Sequence, residues 1–436
     1  MTHLPIKKGA SPRKRLHRFF RILGPGVITG AADDDPSGIA TYSQAGAKLG
    51  TGLLWAFPLM CPLLIAVQES CARIGAVTGK GLAAVIKEHY GRGLLYFSVL
   101  LVVSANILNI GTDLGAMAAT TRLILPLPFG VLAVLYSAFI VLLEIFVPYK
   151  AYAKILIWLS FALLAYPLTA FVVGQNWGRL LSATFHVQGR FDFETVYLLV
   201  GMLGTTISPY LFFWDTSEVV EEKIARHRLT KKESHRHLRS LRVDNFVGMT
   251  LSSLSAWFIV VVCASVLFAN GIKEIDSAAD AAKALEPLVR GFPNAGLVAK
   301  LIFSVGILGL GLLAVPVLAG SSSYAISETL GWQEGLYQKF KSAQGFYGII
   351  AGATLVGLSI NFFGIDPIKA LVFTAVFNGI ASVPLLWMIA RIGNDEKIMR
   401  EFKNGWLSNL GVRAAFLLMG SSVLVLFYMI CKGGAR

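Results

Sequence analysis

Eleven apolar stretches, near 22–45, 52–77, 94–121, 128–147, 152–175, 195–220, 243–270, 297–328, 345–363, 366–391 and 412–431, leave this chain few ways to fold. A helix needs about 20 apolar residues to cross the hydrocarbon core of a bilayer. Lipid offers no partners to backbone groups, so a crossing segment must pair its own N–H and C=O groups as a helix. With 55% hydrophobic and only 15% charged residues, the composition agrees. The chain reads as an all-α polytopic membrane protein with eleven transmembrane helices. No low-complexity linker divides it, so 22–436 reads as one transmembrane domain behind a basic tail, 1–21.

Residues 1–22 carry seven Lys or Arg and no acid. No short apolar core with a small-residue cleavage site follows, so this is not a signal peptide. Counted over alternate loops, most Lys and Arg fall on the side of the N-terminus, which the positive-inside rule makes cytoplasmic. The C-terminus is then outside, and the membrane is the cell (inner or plasma) membrane. The net charge of +14 is accounted for by Lys7–Arg21, Lys223–Arg242 and Arg391–Arg413, all on the inner side, where basic residues face anionic lipid. The partner is therefore the bilayer, with no nucleic acid, and the chain is expected to act as a monomer. Cys61, Cys71, Cys263 and Cys431 form no CxxC pair and read as packing residues. The longest polar loops are Glu221–Arg242 inside and Gly271–Pro293 outside, the second with room for a short surface helix.

Two of the apolar stretches are interrupted by proline among polar residues. The first breaks at Asp33-Asp34-Asp35-Pro36-Ser37-Gly38, the sixth at Gly204-Thr205-Thr206-Ile207-Ser208-Pro209-Tyr210. Their spacing puts the breaks at equivalent places in two five-helix halves of opposite orientation, 22–175 and 195–391, with 412–431 as an extra helix. Broken helices so placed point to an inverted-repeat transporter whose site lies at the bilayer midplane. Pro36 removes a donor and Gly38 tolerates unusual dihedrals, so freed carbonyls must face something polar. Pro58, Pro62, Pro167, Pro316 and Pro384 read as ordinary kinks. The first break is set apart by its carboxylates, which are costly in a bilayer and are kept there mainly for function.

On an intact helix the three aspartates would spread about 100° apart and could not share one ion. Unwinding at Pro36 makes Asp35 the expected ligand, while Asp34 and Asp33 line the approach or cap helix ends. Ser37 lies beside them. The facing break offers Thr205, Thr206, Ser208 and Tyr210 with freed carbonyls, and no Met, Cys or His. An all-oxygen site suits hard cations such as Mg²⁺, Ca²⁺ or Mn²⁺, with hydroxyls holding the waters that Mg²⁺ gives up reluctantly. Asp113 is a candidate proton or helix-pairing group. Asp215 and Glu218 are placed to line an exit, whereas Glu221 and Glu222 read as solvated. Glu69 and Arg73 stand at ion-pair spacing, and Glu144 has Lys150 or Lys154 within reach. There is no HExxH, GxSxG or phosphate loop, so the chain does not read as an enzyme.

Gly24-Pro25-Gly26, Asp35-Pro36-Ser37-Gly38, Gln44-Ala45-Gly46-Ala47-Lys48, the run Arg73–Ala83 and the run Lys397–Gly405 resemble, in order, motifs of the Nramp family of divalent-metal transporters. The resemblance implies the LeuT-type inverted-repeat fold. It also implies a ligand role for Asp35 and a carbonyl ligand at Thr205. The departures carry further implications. The family's Asp-Pro-Gly-Asn has Gly38 at its Asn position, and its Met-Pro-His reads Ser208-Pro209-Tyr210. A second His matches Asp215, and a helix-three Glu matches Ala116 while Asp113 is kept. A missing soft ligand and a thinned proton relay look like the magnesium-transporting branch, with Gly38 widening the pocket and its backbone contributing. The leading expectation is uptake of Mg²⁺, and also Mn²⁺, without obligatory proton coupling and with no cofactor besides the transported ion. A proton-coupled Mn²⁺ or transition-metal importer is the alternative. A cation-coupled organic solute symporter is the alternative from another class, against which the three aspartates argue.

Overall fold

The computed structural model describes residues 33–148, 161–225 and 231–433 together with Gly30 and Trp158, and side chains except those of 222–237. The basic tail, Gly24–Gly26, Glu222, Lys150 and Lys154 fall outside what is described. In chain order the main helices are α1 (Pro36–Leu49), α2 (Phe57–Thr78), α3 (Leu82–His89), α4 (Arg92–Thr121), α5 (Phe129–Phe146), α6 (Ala165–Val172) and α7 (Trp177–Phe185). There follow α8 (Phe193–Thr206), α9 (Pro209–Ala225), α10 (Lys231–Val266), α11 (Ala295–Leu330), α12 (Gln344–Ile360), α13 (Pro367–Ile392) and α14 (Trp406–Cys431).

Among the described residues, eight helical segments are long and apolar enough to cross a membrane, and Phe161–Val172 and Gln344–Ile360 are shorter apolar helices. The segment Phe193–Glu221, formed by α8 and α9, is the centre of the molecule: 94% of its most apolar part is buried, against 28% for α5 and for α14. Leu135, Phe139 and Leu142 on α5, and Leu410, Leu417 and Leu424 on α14, are exposed. Apolar surface of that extent belongs against lipid. The chain is a multi-pass membrane protein.

Around α8 and α9 pack α1, α2, α11 and α13, while α10 lies along α1 and α2. Close approach is built into the sequence at Gly204, where a Cβ would fall 2.1 Å from the Ala375 carbonyl oxygen and 2.3 Å from the Gly379 nitrogen. No side chain fits there, so α8 and α13 touch backbone to backbone.

Proline acts in two ways. Pro62, Pro316 and Pro384 lie inside α2, α11 and α13. Pro58, expected as a kink, instead sits in the first turn of α2, and Pro167 in that of α6. A first-turn proline lacks an N–H that has no intrahelical partner anyway.

Two expectations about loops and charges are corrected. The segment Glu221–Arg242, expected as an inner loop, is mostly helix, because α9 runs to Ala225 and α10 starts at Lys231. Its Lys-, Arg-, Leu- and Glu-rich residues favour helix, and no Gly or Pro stops it. Glu221 is not a solvated residue: its carboxylate accepts hydrogen bonds from the Tyr324 hydroxyl and, at 2.7 Å, from the Leu336 N–H. The segment Gly271–Pro293 does contain a short helix, Ala278–Lys283, capped by Ser277.

The Glu69–Arg73 pair forms, and packing enlarges it. Glu69 Oε1 also takes Arg242 Nε at 2.9 Å from α10, and Oε2 takes the Ser408 hydroxyl at 2.5 Å from α14. One carboxylate thus ties three helices together. All four cysteines are free.

Candidate metal site

The sequence Asp35-Pro36-Ser37-Gly38 reads locally as a helix start, and α1 begins there. Asp35 is the N-cap, with extended φ −67° and ψ 170°, and Pro36 opens the first turn. Asp35 Oδ1 accepts the Gly38 N–H at 2.7 Å and the Ser37 hydroxyl at 2.6 Å, the usual use of a capping carboxylate. Among the described residues Oδ2 has no hydrogen-bond partner, although Asp35 is 1% exposed. A buried carboxylate oxygen without a donor is strongly unfavourable, so this atom is a natural place for a cation.

Thr205 completes the group. Its Oγ1 lies 3.5 Å from Asp35 Oδ1 and 3.4 Å from Ser37 Oγ, bringing three oxygens from two broken helices to one point. Gly38 makes this approach possible. A Cβ there would sit 3.1 Å from Thr205 Oγ1 and 3.3 Å from the Tyr42 ring, so the space a larger residue would need is already occupied.

The sixth-stretch break is arranged differently. Helix α8 ends at Thr206, Ile207 leaves helical geometry with φ −109° and ψ 64°, and α9 starts at Pro209. Pro209 has no N–H for the carbonyl four residues back, that of Thr205. The Ser208 hydroxyl takes that place, 2.6 Å from the Thr205 oxygen and 3.0 Å from that of Gly204. The Ile207 carbonyl accepts from Ser382 of α13 at 2.7 Å. The carbonyls expected to be free are thus met by hydroxyls, and each keeps a second lone pair.

Thr206 faces the middle of α1. Its hydroxyl donates to the Met202 carbonyl at 2.7 Å and lies 2.7 Å from the Tyr42 hydroxyl and 4.0 Å from Met60 Sδ. Tyr42 and Met60 were not singled out from the sequence. Tyr42 follows Asp35 by seven residues, two turns along the same helix face, which is a usable signal. Met60 comes from α2 with no local sign, and it places a thioether beside a break that itself contains no sulfur.

The three aspartates do not act together. Asp33 and Asp34 are buried, and both carboxylates turn to Ser252 of α10, whose hydroxyl lies 3.0 Å from Asp33 Oδ2 and 2.9 Å from Asp34 Oδ1. Their bonds to α10 set them apart from the capping bonds of Asp35. Among the described residues no three Asp, Glu, His or Cys converge as a metal cluster.

Asp113 is fully buried on α4, and among the described residues neither carboxylate oxygen has a hydrogen bond. Asn109, one turn before it, and Asn378 on α13 are buried with both amide atoms unpartnered, near the Thr112–Thr374 hydroxyl pair at 3.4 Å. Buried amides of this kind call for ordered water. Tyr210 is buried in the first turn of α9, its carbonyl accepting from Ser321 at 2.8 Å. Asp215 and Glu218 are buried on α9, and next to them Ser217 donates to Glu328 at 3.0 Å. Glu144 is also buried, with neither oxygen hydrogen-bonded among the described residues.

Known proteins share this arrangement of chain and fold. The chain is 27% identical over 435 residues to the divalent metal cation transporter MntH of Caldanaerobacter subterraneus, covering 96% of this chain and 95% of the relative. It is 24% identical over 440 residues to MntH 1 of Pseudomonas aeruginosa, covering 97% and 94%. A crystal structure of the Eremococcus coleocola manganese transporter superposes with a TM-score of 0.74 at 17% identity, over 98% of this chain and 90% of that one. MhsT in complex with L-phenylalanine superposes with a TM-score of 0.60 at 13% identity, over 92% and 97%, a likeness of fold alone. The family described as "Natural resistance-associated macrophage protein-like", Nramp, matches residues 26–429, and the chain belongs to that family.

Proposed function

We propose that this protein carries a divalent metal ion across the cell membrane by alternating access around Asp35. Mg²⁺ is the first substrate and Mn²⁺ the second, and proton coupling is not obligatory. The observation that carries the proposal is the buried, unpartnered Oδ2 of Asp35 beside the hydroxyls of Ser37 and Thr205. Family membership and the MntH relatives support transport of a divalent cation.

Asp35 supplies the charge. Thr205 adds its carbonyl, and Ser208 and Ser37 hold water on the ion. The Gly38 N–H is committed to Asp35, so any share Gly38 has in binding is through its carbonyl. A single carboxylate with several hydroxyls suits an ion that keeps much of its water, as Mg²⁺ does. Thr206, Tyr210, Asp34, Asp113, Asp215 and Glu218 line the path. The remaining expectations belong to the same proposal: eleven crossings, inverted repeats at 22–175 and 195–391, a cytoplasmic N-terminus and a monomer.

Two observations favour a second reading, proton-coupled Mn²⁺ import. Met60 brings a soft sulfur close to the break. Asp113 is a buried carboxylate with no hydrogen bond, fit to carry a proton. Proteoliposomes with an internal pH dye separate the two. The first reading requires Mg²⁺ uptake with no accompanying acidification, whereas Mn²⁺ uptake with acidification and no Mg²⁺ flux establishes the second.

A further inference from the structure

We propose that the outer mouth of the transport path is closed by a latch centred on Lys48, so that this structure is an outward-closed state. The proposal rests on the orientation given above, in which the C-terminal end of α1 faces outside. Lys48 lies in the last turn of α1. Its ammonium bridges Glu194, in the first turn of α8, and Glu274, 3.3 Å away in the segment after α10. One turn earlier, Gln44 Oε1 accepts the Ile275 N–H at 3.1 Å. On the far side, Lys369 in the first turn of α13 meets Asp276 at 3.0 Å.

The segment Glu274–Asp276 is therefore fastened to α1 on one side and to α13 on the other. Together with Phe193, Tyr197, Leu198 and Val372 these residues enclose a vestibule of about 330 Å³. The Tyr42–Thr206 hydrogen bond of 2.7 Å, farther along α1 towards Asp35, forms a second closure between α1 and α8.

The contacts are unequal. The Lys369 and Asp276 side chains are 67% and 57% exposed, and such surface pairs contribute little. Lys48 is 19% exposed and its partners Glu194 and Glu274 are 51% and 64% exposed, so what sets it above the Lys369 pair is one part-buried ammonium holding two carboxylates from separate elements. For an ion to reach Asp35 from this end, α1 must part from α8, and the Lys48 contacts must break.

The test places a reporter cysteine below the latch. Leu198 lines the vestibule, is 2% exposed and lies one turn inside Glu194 on α8. In a background carrying Cys61→Ser and Cys431→Ser, the Leu198→Cys protein is labelled by a membrane-impermeant thiol reagent on right-side-out and on inside-out vesicles. Lys48→Ala should raise the outside labelling rate by roughly two- to fivefold, the range of one partly exposed ion-pair network. Glu274→Gln, at an exposed position that does not threaten folding, should raise it less, and the swap Lys48→Glu with Glu274→Lys should restore slow labelling. Equal labelling rates with and without Lys48, on both sides, overturn the latch. A rate increase seen only in inside-out vesicles overturns the orientation and keeps the latch.

Discussion

The two helix breaks use the same means, a proline and a hydroxyl, to opposite ends. At the first break a carboxylate caps the helix with one oxygen and keeps the other, Asp35 Oδ2, without a partner in a buried place. At the second, the carbonyls of Gly204, Thr205 and Ile207 are covered by the hydroxyls of Ser208 and Ser382. The first break is thus polar and unsatisfied, the second polar and nearly satisfied. Binding strength should lie with α1, while the α8–α9 break supplies shape and weaker neutral oxygens.

The sharpest way to break this comparison is at Asp35. Asp35→Ala should weaken Mg²⁺ and Mn²⁺ binding more than about 100-fold by calorimetry, since second-layer partners of a metal ligand are alone worth 10–100-fold. Asp35→Asn keeps an N-cap acceptor but loses the charge. It should bind as poorly as the alanine variant yet unfold closer to the wild type, by about 1 kcal/mol, the value of a cap. If the asparagine variant binds normally, the charge is not what holds the ion.

On the other break the effects should be smaller. Thr205→Val removes the hydroxyl near Asp35 and keeps the shape, and should reduce affinity roughly tenfold, as for loss of one charge-assisted hydrogen bond. Ser208→Ala uncovers the Thr205 carbonyl and should lower stability by about 1 kcal/mol. Its affinity should fall no more than about threefold, by the loss of one water-mediated contact. A fall as large as that for Asp35 would mean that Ser208 is itself a principal ligand and that the two breaks share the charge.

The smallest effect expected is in the segment after α11, which carries Glu334. Burial, reinforced by the carboxylates of Glu328 and Glu221, holds the Glu334 carboxyl well above its usual value. A group raised on folding stabilises the protein fully only below its unfolded value, and that contribution is lost as pH rises towards the folded value. Thermal stability should therefore decline by a degree or two from acid to alkaline pH. Glu334→Gln should flatten the profile, and an unchanged slope would show that Glu334 does not drive it.

Much of the first break was legible because it is local. A cap joins residues two and three apart, so Asp35, Ser37 and Gly38 were bound to meet once Pro36 opened α1. The apolar runs likewise set the helices, and i,i+4 spacing set the Glu69–Arg73 pair. The same spacing argument went no further for Asp33 and Asp34. Their partner, Ser252, is more than 200 residues away and becomes a neighbour only because α10 packs along α1.

By itself, then, the sequence determined that apolar helices make up most of the chain, where proline interrupts two apolar stretches, and which carboxylate stands at the first interruption. Those features depend on hydropathy, on proline and on contacts within one turn. Tertiary structure alone decided which oxygen of Asp35 stays unpartnered, that Met60 and Tyr42 meet Thr206, and that Lys48 joins three elements. The unpartnered oxygen and the Met60, Tyr42 and Lys48 contacts depend on helices distant in the chain being held a few ångströms apart. Backbone contacts such as that of Gly204 with Ala375 set these distances, and hydropathy does not encode them.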